Sequence, residues 1–423
     1  MTKKKNLVLI IVFSVAIILE LIAGFNIRSK RLLKIKLYNE ENKKNEILEH
    51  YNDYVMVDDN ASIYTFDGNE YHNVGKISKD EIINLFKMNI TYKDIYFKIN
   101  GFDGEYYIKY DDVKKTTNDV NYSSRYKKYI LYNKNIVTNE VTHFYDKSDN
   151  LIYTFNKSFD LPIIVNDTDR YGVEFNNRLL FIKSDDVREV KDNNNTSEIN
   201  TSGIAVLNYH FFYDSKSFED TQKCTQIICL STDNLRSHLD YIRDNNYFTP
   251  TMEELEMYID GKINLPKSVV LTIDDGWRAD IGSNIIAEYK MNGTVFLITK
   301  DYDKNAYKNE YIEVHSHGDN LHNPGACPTG QGGAIQCLSK NILIADLKKS
   351  SEKLDGTTVF CYPFYEYNNY SIEVLKEAGY RMAFGGPNEG GRSKVSPNID
   401  KYRLPRYVIY IDTNVEKLKT YLS

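Results

Sequence analysis

The chain has 423 residues, 42% of them hydrophobic and 26% charged, with a net charge of −6; that is enough length for two or three domains, each with its own core. The charge is uneven: residues 1–36 hold eight Lys/Arg and one Glu, while the rest holds 45 basic against 58 acidic residues. An acidic body of net −13 excludes nucleic acid as the partner.

From the N-terminus, Leu7–Phe25 is an apolar run interrupted by Glu20 and preceded by Lys3, Lys4 and Lys5. Its length predicts a membrane span, with 1–36 an uncleaved anchor; a cleaved signal segment is the alternative. Arg28, Lys30, Arg31, Lys34 and Lys36 follow it, which by charge alone favours keeping the body inside. Residues 37–50 are Lys/Glu/Asn-rich and predict a helical stalk.

Residues 51–190 read as short strands, with alternation as in Ile95-Tyr96-Phe97-Lys98-Ile99. An internal repeat lies here. Tyr107-Ile108-Lys109-Tyr110-Asp111-Asp112-Val113 recurs 74 residues later as Phe181-Ile182-Lys183-Ser184-Asp185-Asp186-Val187, and Ser62-Ile63-Tyr64 is echoed by His143-Phe144-Tyr145. Two small all-β domains in tandem, 51–116 and 117–190, follow. Both resemble bacterial SH3-like modules of wall-associated proteins. Residues 191–202 are a polar linker.

From Gly203 the texture becomes α/β. Strands are predicted at Ile204–Asn208, Val269–Ile273, Thr294–Ile298, Tyr311–His315, Thr358–Tyr362 and Arg381–Phe384. Helices are predicted at Thr232–Asn245, after the Thr251 cap with Glu254 completing a capping box, and at Ile281–Asn292, Lys340–Leu354 and Ser371–Ala378. Alternation of this kind predicts a mainly parallel sheet or barrel. Cys224/Cys229 and Cys327/Cys337 are close pairs, with Cys361 left over. In an exported protein they form two short-loop disulfides; five free thiols is the other reading. No CxxC is present, so a cysteine zinc knuckle is not expected.

In parallel α/β folds, chemistry gathers at the C-terminal ends of strands. Asp274-Asp275-Gly276 ends one strand, His315-Ser316-His317 another, Pro363-Phe364 a third, and Tyr209-His210 the first. One carboxylate with two imidazoles, His317 and His322, suits an open divalent metal site, and the spare carboxylate suits a base. Taken alone, Asp-Asp-Gly reads as a turn and His-x4-His as unrelated to metal; in this order they indicate metal-assisted hydrolysis. The glycine-rich Cys327–Cys337 stretch lacks a following Lys-Ser/Thr, so it is not a phosphate loop. Trp277 either stacks on a sugar or packs.

These residues resemble the polysaccharide deacetylase family (NodB-like, carbohydrate esterase family 4), and within it the poly-N-acetylglucosamine deacetylase subgroup. The resemblance covers 203–423 and rests on Leu207-Asn208-Tyr209-His210, Leu265-Pro266, Thr272-Ile273-Asp274-Asp275-Gly276, Ser316-His317-x-Asp319-x-x-His322 and Tyr362-Pro363-Phe364. It implies a distorted (β/α) barrel of the NodB type. It also implies a divalent metal, expected to be Zn2+, held by Asp275, His317 and His322, with Asp274 as general base and the Phe364 amide stabilising the oxyanion. The usual C-terminal histidine is absent, and the subgroup's permuted arrangement points to His210 as general acid, a buried structural histidine being the alternative. Arg406 and Asp400 are candidates to orient or tune the site. Cys361-Tyr362-Pro363 departs from the family's third motif, which has an arginine there, and His315 is expected to be structural.

The implied function is N-deacetylation of N-acetylglucosamine units in a cell-envelope polysaccharide, peptidoglycan or poly-N-acetylglucosamine, by a single-pass bacterial membrane protein with its catalytic domain extracytoplasmic. The SH3-like modules would contact the wall. The alternatives are an O-deacetylase, a chitooligosaccharide deacetylase, or an inactive glycan-binding protein.

Overall fold

The computed structural model describes residues 2–50, 54–85, 87–90, 95–116, 124–129, 132–194, 202–307 and 309–423. One helix runs Thr2–His50. The side chains of residues 2–13, and with them the first part of the expected span, lie outside the described set. Among the described residues no helix is long and apolar enough to cross a membrane.

The chain forms two compact units. The first comprises Met1–Ser124, Asn135–Leu161 and Asp169–Lys191; the second comprises Arg125–Lys134, Pro162–Thr168 and Asp192–Ser423. In the first, the repeat seen in the sequence is a structural duplication. Strand Glu105–Lys109 leads through a 3-10 turn, Tyr110–Asp112, into Val113–Lys115, and Arg178–Lys183 leads through Ser184–Asp186 into Val187–Asp192. Both turns close the same way: the Val113 amide donates to the Tyr110 carbonyl, and the Val187 amide to that of Ser184. Each copy has a three-stranded sheet of matching order, Ile82–Asn84, Tyr54–Val57, Val113–Lys115 in one and Asp160–Pro162, Lys134–Thr138, Val187–Asp192 in the other. The copies join edge to edge: Tyr71–Ile77 pairs antiparallel with Leu151–Phe155, giving one continuous larger sheet.

The second unit is built on seven parallel strands: β1 Ala205–Tyr209, β2 Val269–Ile273, β3 Gly293–Leu297, β4 Ile312–Ser316, β5 Val359–Cys361, β6 Met382–Phe384 and β7 Tyr407–Val408, in the order β6-β5-β4-β3-β2-β1-β7. Every residue of β1, β2 and β3 is buried, so these strands read as continuous apolar runs rather than as alternation. Helices cover the outside. Thr232–Asp244 buries Leu235, His238, Leu239 and Ile242, an i, i+3, i+4, i+7 spacing that makes one stripe. Met252–Ile259 starts at the expected Thr251–Glu254 capping box.

The sheet closes into a distorted barrel through one short segment. The Ala383 amide donates to Lys401, the Leu404 amide to Ala383, the Gly385 amide to Leu404, and the Arg406 amide to Gly386. Immediately afterwards Tyr407 and Val408 pair with Leu207 and Asn208 of β1. Residues 401–408 thus bond β6 on one side and β1 on the other, which bears out the barrel expectation.

Candidate active site and metal centre

Asp274 and Asp275 end β2, and the chain turns sharply there: Asp275 has φ +73° and Gly276 φ +117°. A β-carbon at Gly276 would meet the Tyr302 ring at 2.6 Å, so only glycine fits. The Tyr307 hydroxyl donates to the Gly276 carbonyl at 2.7 Å and steadies the turn.

The two carboxylates receive different partners. Asp274 is buried and meets Arg406 in a two-pronged pair, Nη1–Oδ1 2.8 Å and Nη2–Oδ2 2.9 Å. The Cys361 thiol adds a contact to Oδ2 at 3.4 Å. Burial opposes the charge on Asp274, but the Arg406 guanidinium and then His317 overcome it and hold the carboxyl well below its ordinary range. Arg406 is itself fully buried, and its Nε donates to the Gly385 carbonyl at the barrel seam. Burial also pushes the Cys361 thiol up, which keeps it protonated.

Asp275 Oδ1 faces the histidines, 3.3 Å from His317 Nε2 and 3.4 Å from His322 Nε2. His317 Nδ1 donates to the Cys361 carbonyl at 2.9 Å, which orients the ring so that Nε2 is the nitrogen facing Asp275. One carboxylate oxygen and two imidazole nitrogens converging in this way form a donor set that fits a divalent ion with positions left open. Asp274, His317 and Cys361 also cluster. There, however, the Arg406 guanidinium already occupies both Asp274 oxygens and lies 3.0 Å from Cys361 Sγ, and a cation beside it would be repelled. The Asp275 set is the metal candidate.

The loop carrying both histidines is anchored by charge. Asp319 is buried and accepts from Thr299 Oγ1 at 2.9 Å and from Lys349 and Lys353 at 2.6 and 2.5 Å. Asp346 in turn accepts the Asp319 and Asn320 amides, each at 2.8 Å.

His210 follows β1 and is largely buried. Burial lowers its pKa, against the pull of Asp274 and Asp275. Its Nε2 lies 3.5 Å from the Tyr365 hydroxyl, which donates to Asn208 Oδ1 at 2.6 Å; its Nδ1 is buried and has no hydrogen-bond partner among the described residues. Phe364 and Tyr365 both have positive φ, +56° and +60°, uncommon for bulky side chains and a mark of a functionally constrained turn. The Phe364 ring lies 4.0 Å from that of His322.

The structure therefore brings together Asp274, Asp275, His210, His317, His322, Phe364 and Arg406. Asp400 stays apart and pairs with Arg403 at 3.3 Å. His315 turns to Thr357 Oγ1 at 2.6 Å and joins neither metal-capable cluster. Trp277 packs edge-on against Phe211, 4.9 Å between centroids. Both expected disulfides are formed and Cys361 is free and buried. Cys361, Tyr365 and Glu366 escaped assignment from the sequence; the one local signal was the unusual Cys361-Tyr362-Pro363-Phe364-Tyr365-Glu366 string itself.

An Asp and two His converging at the C-terminal rim of a parallel barrel, beside a carboxylate held ionised, make an arrangement that suits a hydrolase. Residues 262–383 match the family model described as polysaccharide deacetylase, so the chain carries a polysaccharide deacetylase domain. Among curated proteins it is 24% identical over 194 residues to YxkH of Bacillus subtilis (strain 168); the match covers 42% of this chain and 63% of that protein's length. Among solved structures it is similar to a de-N-acetylase from Aggregatibacter actinomycetemcomitans (22% identity, 52% of this chain and 99% of that one, TM-score 0.43). It is also similar to IcaB from Ammonifex degensii (20% identity, 52% and 97%, TM-score 0.44).

Proposed function

We propose that the second unit is a divalent-metal-dependent N-deacetylase acting on N-acetylglucosamine units of a cell-envelope polysaccharide, peptidoglycan or poly-N-acetylglucosamine. The observation that carries this reading is the division of labour at the end of β2: Asp274 is bound by Arg406, and Asp275 is left open with His317 and His322. Zn2+ is the ion proposed for that set. When bound, such an ion supplies Lewis acidity toward the acetamide carbonyl and a more acidic water.

The remaining steps belong to the chain. Asp274, kept ionised by Arg406, accepts a proton from the attacking water. The Phe364 amide, for which no acceptor is found among the described residues, donates to the developing oxyanion. His210 gives a proton to the leaving nitrogen. The carbon–nitrogen bond breaks, acetate is released, and the sugar keeps a free amine. The two disulfides support an oxidising, extracytoplasmic setting. In this proposal the N-terminal helix tethers the enzyme to the bacterial membrane, and the duplicated β-unit, read as SH3-like, contacts the wall.

Primary-amine release from acetylated peptidoglycan and from poly-N-acetylglucosamine by the full chain tests the reading, with Asp274→Asn and His210→Ala beside it. Release from one polymer, lost in both variants, is expected. Equal activity in Asp274→Asn would sink the assignment of the base, and acetate release without amine would point to an ester substrate.

A further inference from the structure

Glu366 lies two residues beyond Phe364, and its carboxylate is wrapped by backbone. The amides of Gln331, Gly332 (3.2 Å) and Gly333 (2.8 Å) and the side-chain amide of Gln336 (3.2 Å) all donate to it. Burial opposes the charge, and the Gln331, Gly333 and Gly332 amides then hold the carboxyl below its ordinary range. The loop that supplies these donors is closed by the Cys327–Cys337 disulfide. It is moulded on the carboxylate: a β-carbon at Gly330 would fall 2.5 Å from a Glu366 oxygen, and one at Gly333 2.7 Å from the Glu366 β-carbon. Successive amides of this kind make an anion-binding nest. Here the anion is the protein's own side chain.

The same loop is bonded to a proposed metal ligand. Gly333 forms a β-bridge with His322. On either side of it the Asn323 amide donates to the Gly332 carbonyl and the Ala334 amide to the Leu321 carbonyl, both at 3.1 Å. Glu366 therefore ties the backbone behind His322 to the segment that carries the Phe364 amide, whose ring lies against His322. The loop holds Gly330, Gly332 and Gly333 and has little stiffness of its own.

We propose that Glu366 is a positioning residue of the metal site: through the amide nest of residues 331–333 it sets where His322 stands relative to Asp275 and His317. This rests on the metal reading above. The site's affinity for the ion, rather than the fold of the barrel, is what Glu366 controls. The Cys327–Cys337 disulfide acts in the same direction by closing the loop.

The test uses the full chain, stripped of metal. Zn2+ affinity is measured by competition with a chromophoric chelator, and the visible spectrum of the Co2+-loaded protein reports the ligand field. Wild type stands beside Glu366→Ala, Glu366→Asp and Glu366→Gln. Asp275→Ala removes a ligand, and the exposed Glu373→Ala serves as surface control. Loss of an outer-shell partner typically weakens metal binding ten- to a hundredfold; that loss and an altered Co2+ spectrum are expected for Glu366→Ala. Partial recovery is expected in Glu366→Gln, and no change in Glu373→Ala. Wild-type affinity and spectrum in Glu366→Ala overturn the proposal. Should Glu366→Ala lose its near-ultraviolet circular dichroism, Glu366→Gln, which keeps the side chain's shape, decides by the same criteria. Binding that is lost in Asp275→Ala but unchanged in every Glu366 variant sinks this inference alone. A wild type that takes up no ion sinks the metal reading and this inference with it.

Discussion

Asp274 and Asp275 are adjacent in sequence and sit in opposite surroundings. Around Asp274 every partner belongs to the protein: two prongs of Arg406, the Cys361 thiol and the Tyr209 carbonyl at its amide. Around Asp275 the partners are two imidazoles, each with its Nε2 facing Oδ1, at 3.3 Å for His317 and 3.4 Å for His322. One pocket is thus filled by a guanidinium, while in the other one carboxylate oxygen and two imidazole nitrogens converge as a donor set that suits a divalent cation. The pair shows how identical side chains acquire different chemistry from their neighbours, here because the +73° φ at Asp275 swings the second carboxylate away from the first.

The largest effects should come from breaking the closed pocket. Arg406→Ala leaves Asp274 as a buried, unpaired charge, and severing such a pair costs about 3–5 kcal/mol. Chemical denaturation should show a lower midpoint of that size, and acetate release should vanish. Asp274→Asn is the sharper cut: it keeps the side chain's outline and leaves the Asp275 donor set for metal uptake, and although it also unpairs Arg406, it should lower turnover at least ~100-fold, the usual contribution of a general base. Retained turnover with unchanged pH dependence would refute the base assignment.

A smaller effect is expected from Tyr365→Phe, which removes the hydroxyl between Asn208 and His210. Losing one hydrogen bond to a functional side chain is worth about 1 kcal/mol, or roughly fivefold in rate. Turnover should fall by that amount with Zn2+ affinity unchanged; a change in metal affinity instead would place Tyr365 with the open pocket.

A further effect, confined to acid pH, concerns a histidine outside both pockets. His238 is buried, its Nε2 donating to the Thr413 carbonyl at 3.0 Å and its Nδ1 3.1 Å from the Tyr209 hydroxyl. Burial pushes its pKa down to about 4. Below the unfolded value near 6.5 the unfolded chain takes up a proton that the fold refuses, so stability falls as pH drops from about 6.5 toward 4, by about 2 kcal/mol at pH 5. Above pH 6.5 the group contributes no slope. His238→Gln should flatten this part of the wild-type stability profile measured by denaturant titration; an unchanged profile contradicts the neutral assignment.

How much of this was legible in the sequence depends on how local the signal is. β2 falls on the predicted Val269–Ile273 residue for residue, because a buried parallel strand is an apolar run that stops at a turn. The capping box at Thr251 is equally local. The 74-residue repeat was readable because Asp-Asp follows an apolar strand in both copies and makes the same 3-10 turn. What it did not reveal is that the copies pair through Tyr71–Ile77 and Leu151–Phe155, since an edge contact leaves no periodicity. The barrel seam at 401–408 was hidden for the same reason: its pairings are one or two residues long. Asp275, His317 and His322 stood out by type and spacing. Glu366 did not, since its partners are backbone amides, and backbone amides carry no sequence signature. The predicted span Leu7–Phe25 falls in part on residues outside the described set, and among the described residues no helix is long and apolar enough to cross a membrane.

The most direct test of the contrast between the pockets is metal content after equilibrium dialysis against Zn2+, measured on wild type, Asp274→Asn and Asp275→Asn. The open-pocket account predicts one ion per chain in wild type and in Asp274→Asn, and none retained by Asp275→Asn. An ion lost from Asp274→Asn but kept by Asp275→Asn would contradict it and move the metal to the Asp274, His317 and Cys361 cluster.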